Sequence, residues 1–143
     1  MKEQNYRNHR QVVPLFHVVA VLALLALFSG AARNLYHSWN RETFYEAALL
    51  MLVSLMFFLY HFFTRSFTLK AQDRAIRAEE SLRHFVLTGR LPDPRLHLKQ
   101  IIALRFASDE EVVPLTQRAI DENLSPDDIK KAIQNWRPDF YRV

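Results

Sequence analysis

The 143-residue chain has no cysteine and only two glycines, Gly30 and Gly89. Without cysteine there is no disulfide scaffold, no thiolate-ligated zinc and no thiol nucleophile. Glycine at its usual frequency of about 7% would give about ten residues. The scarcity argues against glycine-rich phosphate loops and tight hairpins, which need backbone positions with positive φ. No P-loop, GxSxG or HExxH spacing occurs, and the six histidines fall in no catalytic pattern. There is no internal repeat, no low-complexity segment and no alternating strand pattern. A net charge of +4 and a mean hydropathy of −0.12 suit an ordinary soluble domain, but that average conceals two runs almost free of charge.

Residues 12–32 read VVPLFHVVAVLALLALFSGAA without a charged side chain, and residues 44–63 read FYEAALLMLVSLMFFLYHFF with Glu46 alone. About 20 residues at 1.5 Å each cross a hydrocarbon core of about 30 Å. A helix at the core of a soluble protein is shorter and keeps a polar stripe. Two transmembrane helices are therefore expected, joined by an external loop over residues 33–43. Lys2, Arg7 and Arg10 before the first run, with Ser29-Gly30-Ala31 at its end, imitate a cleaved signal peptide. The run exceeds the usual apolar region of about 7–15 residues, however, and carries Pro14 and His17, so an uncleaved span is expected. Lys and Arg near span ends set orientation. Three lie in residues 1–11, two in the loop and five in residues 64–83, which predicts both termini on the cytoplasmic side. Tyr36, Trp39, Phe44 and Tyr45 would then form the outer aromatic belt.

Residues 1–11 are a short cytoplasmic tail in this reading, and residues 64–143 hold the extramembrane structure. Acid-before-base spacing at Asp73–Arg77 and Glu79–Arg83 favours a helical extension of the second span over residues 64–89. Gly89 stops it, and Pro92 and Pro94 prevent its continuation. Ala71, Ala75, Ala78, Leu82 and Phe85 recur at coiled-coil spacing for only two heptads. Packing of that face on the chain's own distal helices is expected. Residues 90–143 read as a small domain of about three short helices. The first covers residues 98–107. The second follows a capping box, Ser108-Asp109-Glu110-Glu111, with Pro114 bending it or delaying its start. The third opens on Ser125-Pro126-Asp127-Asp128 and runs to about Trp136, before Pro138. The predicted fold is all-α: a two-helix transmembrane hairpin, an extended second helix and a small helical bundle.

Four stretches carry a resemblance: NYRNHRQVVPLFH (residues 5–17), RSFTLKAQDRAIRAEESLRHF (65–85), QIIALRFASDEE (100–111) and IKKAIQNWRPDFYRV (129–143). Together they resemble an uncharacterised family of small bacterial proteins with two membrane helices and a helical cytoplasmic C-terminal region. The resemblance covers nearly the whole chain. It implies a bacterial inner-membrane protein and supplies no activity, cofactor or catalytic residue.

Several residues invite a functional reading beside a structural one. His17 and His61 sit at similar depths of an antiparallel hairpin, where two imidazoles could hold a haem or metal or relay a proton. Their plainer role is a bond across helices or to the interface. Glu46 lies within reach of Arg41, which points to a local ion pair. Arg65, Lys70, Arg74 and Arg77 suit contact with an anionic inner leaflet, worth about 1 kcal/mol per basic residue. Asp109, Glu110, Glu111, Asp127 and Asp128 could be cation ligands, but acids after a capping serine serve the helix dipole. Trp136, Phe140 and Tyr141 form either a docking surface or a fold-back onto the core, and fold-back is expected. Residues 108–143 carry five basic against eight acidic residues, which disfavours nucleic acid as a partner.

These features together predict a non-enzymatic membrane protein without a cofactor. It would be an accessory, regulatory or scaffolding subunit whose helical cytoplasmic domain meets a membrane or cytoplasmic protein, or further copies of itself. The alternative is an oligomeric hairpin that binds or conducts a small ion or cofactor through His17, Glu46 and His61.

Overall fold

A computed structural model describes residues 3–9 and 12–140. It is all-helical there apart from one isolated backbone bridge. The chain forms two compact units, Val12–Thr68 on the one hand and Met1–Gln11 with Leu69–Val143 on the other.

In the first unit Pro14, which has no N–H to satisfy, opens a short π-helical turn, Leu15–Val19. It leads into α1 (Ala20–His37), which runs without a break through Ser29-Gly30-Ala31. After residues 38–43 comes α2 (Phe44–Thr88), a single helix of 45 residues. The two helices meet antiparallel. Phe28 packs edge-on to Phe58 with ring centroids 5.6 Å apart, and Phe16 stacks on His61 at 4.4 Å. The most buried side chains of this unit are small, namely Ala31, Ala47 and Ser54. Small residues let helix backbones approach closely where lipid supplies no hydrophobic drive to pair. Ser54 spends its hydroxyl on its own helix, donating to the Met51 carbonyl at 2.8 Å. Both helices are long and apolar enough to cross a membrane, and only 6% and 11% of their most apolar stretches is buried within the protein.

The second unit holds α3 (Leu98–Leu104), α4 (Asp109–Asp121) and α5 (Pro126–Ala132). Phe106 and Ile129 are fully buried at its centre, with Ala103, Leu104, Val112 and Ala119 around them. Two helices are shorter than the sequence predicts, for one shared reason. The third helix ends at Leu104 instead of residue 107, and the fifth ends at Ala132 instead of Trp136. Residues 106–108 and 135–137 exchange helical hydrogen bonds for an antiparallel bridge between Ala107 and Trp136. The Ser108 N–H donates to the Asn135 carbonyl at 3.1 Å and the Arg137 N–H to the Phe106 carbonyl at 2.7 Å.

Helix ends follow the expected chemistry with two exceptions. The Ser125 hydroxyl accepts from the Asp128 N–H at 3.1 Å, with Pro126 in the first turn. Gly89 (φ +72°) stops α2, and Asn123 (φ 48°) takes the left-handed position after α4 that glycine usually fills. The first exception is that α4 starts at Asp109, so Pro114 sits inside the helix and does not delay it. The second is that Ser108 makes no side-chain cap, and the reciprocal half of the capping box is also missing, because Asn135 takes the Glu111 carboxylate and its carbonyl accepts from the Ser108 N–H.

One packing expectation fails. The face Ala71, Ala75, Ala78, Leu82 and Phe85 of α2 does not lie on the distal helices; all five residues are exposed. The opposite side is covered instead, at Ile76, Glu80 and Arg83. Ion pairs and a backbone carbonyl satisfy the two charged side chains, so a partly polar face can be buried without cost from orphaned charge.

Candidate functional site

The second unit is organised around contacts between segments far apart in sequence. Residues 3–9, a separate tail in the sequence reading, lie on the helical domain. The Asp139 N–H donates to Gln4 Oε1 at 2.8 Å, and Gln4 Nε2 donates back to the Asp139 carbonyl at 3.4 Å. Gln4 is 7% exposed, as expected of a side chain whose amide is used in both directions. The Tyr6 hydroxyl donates to Asp127 at 2.8 Å, and His9 packs near Phe106 and Trp136 while its Nε2 lies 3.2 Å from Lys130 Nζ. Lys131 pairs with Asp127 at 2.6 Å. Lys131 and then Tyr6 hold the Asp127 carboxyl below its ordinary value. The Tyr6 phenol is raised in turn, first by donating to that carboxylate.

A second set of contacts fixes the C-terminal strip. Glu111 receives the Asn135 N–H and its Nδ2 amide, each at 3.1 Å, together with the Gln134 N–H at 3.2 Å. Arg83, with its side chain 10% exposed, bonds Glu80 at 3.0 Å, Asp109 at 2.6 Å and the Ala107 carbonyl at 2.7 Å. Glu80 is also 3.6 Å from Arg137. The buried Arg105 pairs with Asp139 at 3.0 Å and lies over the Phe106 ring at 4.5 Å. Arg137 and Asp139 come from the strip, Arg105 from the end of α3, and Glu79, Glu80 and Gln72 from α2. Together they line a cavity of about 300 Å³. Its charges are nearly balanced, and Glu80 and Asp139 already have arginine partners. Such a cleft positions a strip of chain well and offers no strong trap for an ion of one sign.

The predicted site residues scatter. His17 Nδ1 turns back to the Val13 carbonyl at 3.0 Å, and Phe16, not His17, stacks on His61. Arg65 lies over the same Phe16 ring, 5.9 Å from its centroid. Glu46 stands exposed in the first turn of α2 and makes no ion pair with Arg41, contrary to expectation. Arg74 and Arg77 are exposed on α2, as is Lys70. Glu79 does not pair with Arg83; Glu80, three residues before it, does. Among the described residues no group of three or more His, Asp or Glu could hold a metal ion. Trp136 folds back onto the core beside Phe106, at 5.2 Å between ring centroids. Phe140 is 56% exposed, and Tyr141 lies outside the described residues, as do Lys2 and Arg10.

Sequence reasoning missed Gln4, Tyr6, His9, Glu80, Arg105 and Asp139, and gave Glu111 a capping role in place of its bonds to Gln134 and Asn135. Gln4 and Asp139 are 135 residues apart, and no local periodicity signals such a pair. Composition offered one hint, in that buried arginines need partners and acids are plentiful in residues 108–143.

A model described as a family of unknown function (DUF6526) matches residues 1–143, and the chain belongs to that family. No curated protein and no solved structure matches the chain.

Proposed function

We propose that this is an integral membrane protein of the bacterial cytoplasmic membrane. In this reading a two-span hairpin presents the helical unit to the cytoplasm, where it serves as an accessory, regulatory or scaffolding subunit without catalysis of its own. The observation that carries the reading is the burial of the two apolar helices. Only 6% and 11% of their most apolar stretches is covered, whereas the core helix of a soluble protein would be mostly buried. Hydrocarbon is the surrounding that such surfaces need.

Two further observations support the orientation. Lys and Arg gather before the first span and after the second. Residues 3–9 also bond to the helical domain beyond the second span, as two segments on one side of a membrane could. A role in recognition accords with a domain whose ion pairs and tail contacts fix its own chain, with no catalytic constellation recognisable in the sequence. The test is purification of the full chain from membranes in mild detergent, beside a form truncated after Gly89. A stoichiometric partner protein that co-elutes with the full chain and is lost on truncation is the expected result. A monomer in native-like lipid with no companion would overturn the proposal.

A further inference from the structure

The exposed face of α2 has the geometry of a dimer seam. Ala71, Ala75, Ala78, Leu82 and Phe85 occupy alternating d and a positions of a heptad, at spacings of four and three. All five are exposed, Leu82 at 63% and Phe85 at 48%, and Val86 beside them is 74% exposed. The far side of the same helix is occupied by the chain's own domain through Ile76, Glu80 and Arg83, and Ala75 and Glu79 stand where the two faces meet, at the edge of the cleft with Arg105 and Arg137. An isolated soluble unit would gain nothing from holding Leu82, Phe85 and Val86 in water.

We propose that a second copy of this chain covers this face, through a short parallel coiled coil of the two α2 helices. Charge identifies the occupant. With Ala75 and Leu82 at a positions, Arg74 falls at g and Glu79 at e of the following heptad. In a parallel in-register pair, g of one helix meets e of its partner five residues on. Arg74 of each copy therefore meets Glu79 of the other, twice by symmetry. Both side chains are exposed, and among the described residues neither takes part in an ion pair. The parallel arrangement follows from the membrane-anchored reading above, on which this inference rests, since two copies in one membrane leave it in the same direction. Two heptads are marginal for association in free solution. Confinement to a membrane raises effective concentration and makes a short seam sufficient. Alanine at three of the five seam positions allows close approach, while Leu82 and Phe85 supply the apolar burial.

The absence of native cysteine makes the test direct. Single substitutions Ala75→Cys, Ala78→Cys, Asp73→Cys and Arg77→Cys in the full chain are oxidised in isolated membranes, and dimer is read on a non-reducing gel. Seam positions bring identical residues within the Cβ separation of about 3.5–4.5 Å that a disulfide needs, and the f and c positions do not. Strong dimer at 75 and 78 with little at 73 and 77 is expected. Arg74→Glu should lower the Ala78→Cys dimer yield about three- to fivefold, and Arg74→Glu with Glu79→Arg should restore it. Equal yields at all four positions, no dimer at any, or no effect of Arg74→Glu would overturn the pairing. Sedimentation of the same samples keeps the two readings apart. Chain in the membrane pellet without cross-links refutes the seam alone, whereas chain in the supernatant refutes the membrane reading.

Discussion

Replacing Trp136 and Phe140 separately tests whether the C-terminal aromatic strip is core or contact surface. Trp136 stacks beside Phe106, which is 1% exposed, and its backbone pairs with Ala107 across the bridge. Truncating a fully buried aromatic to alanine costs about 3–5 kcal/mol. Trp136 is half-buried, which lowers that figure, while the lost ring pairing adds about 0.5–1.5 kcal/mol. Trp136→Ala should therefore cost about 2–4 kcal/mol, a large fraction of the 5–15 kcal/mol typical of a domain. Phe140, 56% exposed, should cost within about 0.5 kcal/mol. The assay is hydrogen exchange of α3 and α5 peptides in the full-length protein in mild detergent, across a urea series. With a urea dependence of about 1–3 kcal/mol per molar, Trp136→Ala should move the midpoint down by about 1–2 M, and Phe140→Ala should barely move it. A Trp136→Ala shift below about 0.5 M, or equal shifts for the two variants, would refute the assignment of Trp136 to the core.

Arg83→Met should destabilise the same domain by about 2–4 kcal/mol in the same assay. It leaves the 12%-exposed Glu80 with only Arg137 at 3.6 Å and strips the Ala107 carbonyl of its donor. Gly89→Ala should cost about 1–2 kcal/mol from backbone strain alone, since φ is +72° and nothing lies within 4 Å of an added Cβ. A cost near zero would show that α2 does not end in a left-handed turn. Docking of residues 3–9 should depend on pH at both extremes. The raised Tyr6 phenol contributes fully below its ordinary value of 10.0, and that contribution is lost as pH rises through its higher folded value. The lowered Asp127 carboxyl contributes above its ordinary 3.8, and that contribution is lost as pH falls through its lower folded value. Protection of the tail from trypsin at Arg7, assayed after pulses at each pH, should fall on an alkaline limb above the ordinary tyrosine value of 10.0 and on an acid limb below the ordinary aspartate value of 3.8. Tyr6→Phe should abolish the alkaline limb, and its persistence in that variant would exclude Tyr6 as the cause.

The two apolar helices, the Gly89 stop and the Ser125 cap were legible because each is a local signal, written in run length or in three or four consecutive residues. The order of the helical elements was legible for the same reason. Their ends at Leu104 and Ala132 were not, since both depend on a bridge between residues 106–108 and 135–137. Apolar spacing on α2 points to the face that stays exposed, because the face that is buried carries charge. Glu80 and Arg83 look solvent-facing until Asp109, Ala107 and Arg137 arrive from elsewhere in the chain. The spacing of Glu111 from Ser108 predicts a capping box, and Asn135, 24 residues on, takes its carboxylate instead. Docking of Gln4, Tyr6 and His9 had no local signature at all.

Sidedness tests the central claim most directly, and the cysteine-free chain again suits the measurement. Arg7→Cys, Arg41→Cys and Gln117→Cys place single thiols at exposed positions in the tail, the connecting segment and α4. A membrane-impermeant maleimide applied to intact cells, and then to inverted vesicles, reports which side each occupies. The account requires Arg41→Cys to label from outside only, with Arg7→Cys and Gln117→Cys labelling from the cytoplasmic side only. Labelling of Arg7→Cys and Gln117→Cys from opposite sides, or of all three from one side, would contradict a two-span hairpin with its tail docked on a cytoplasmic domain.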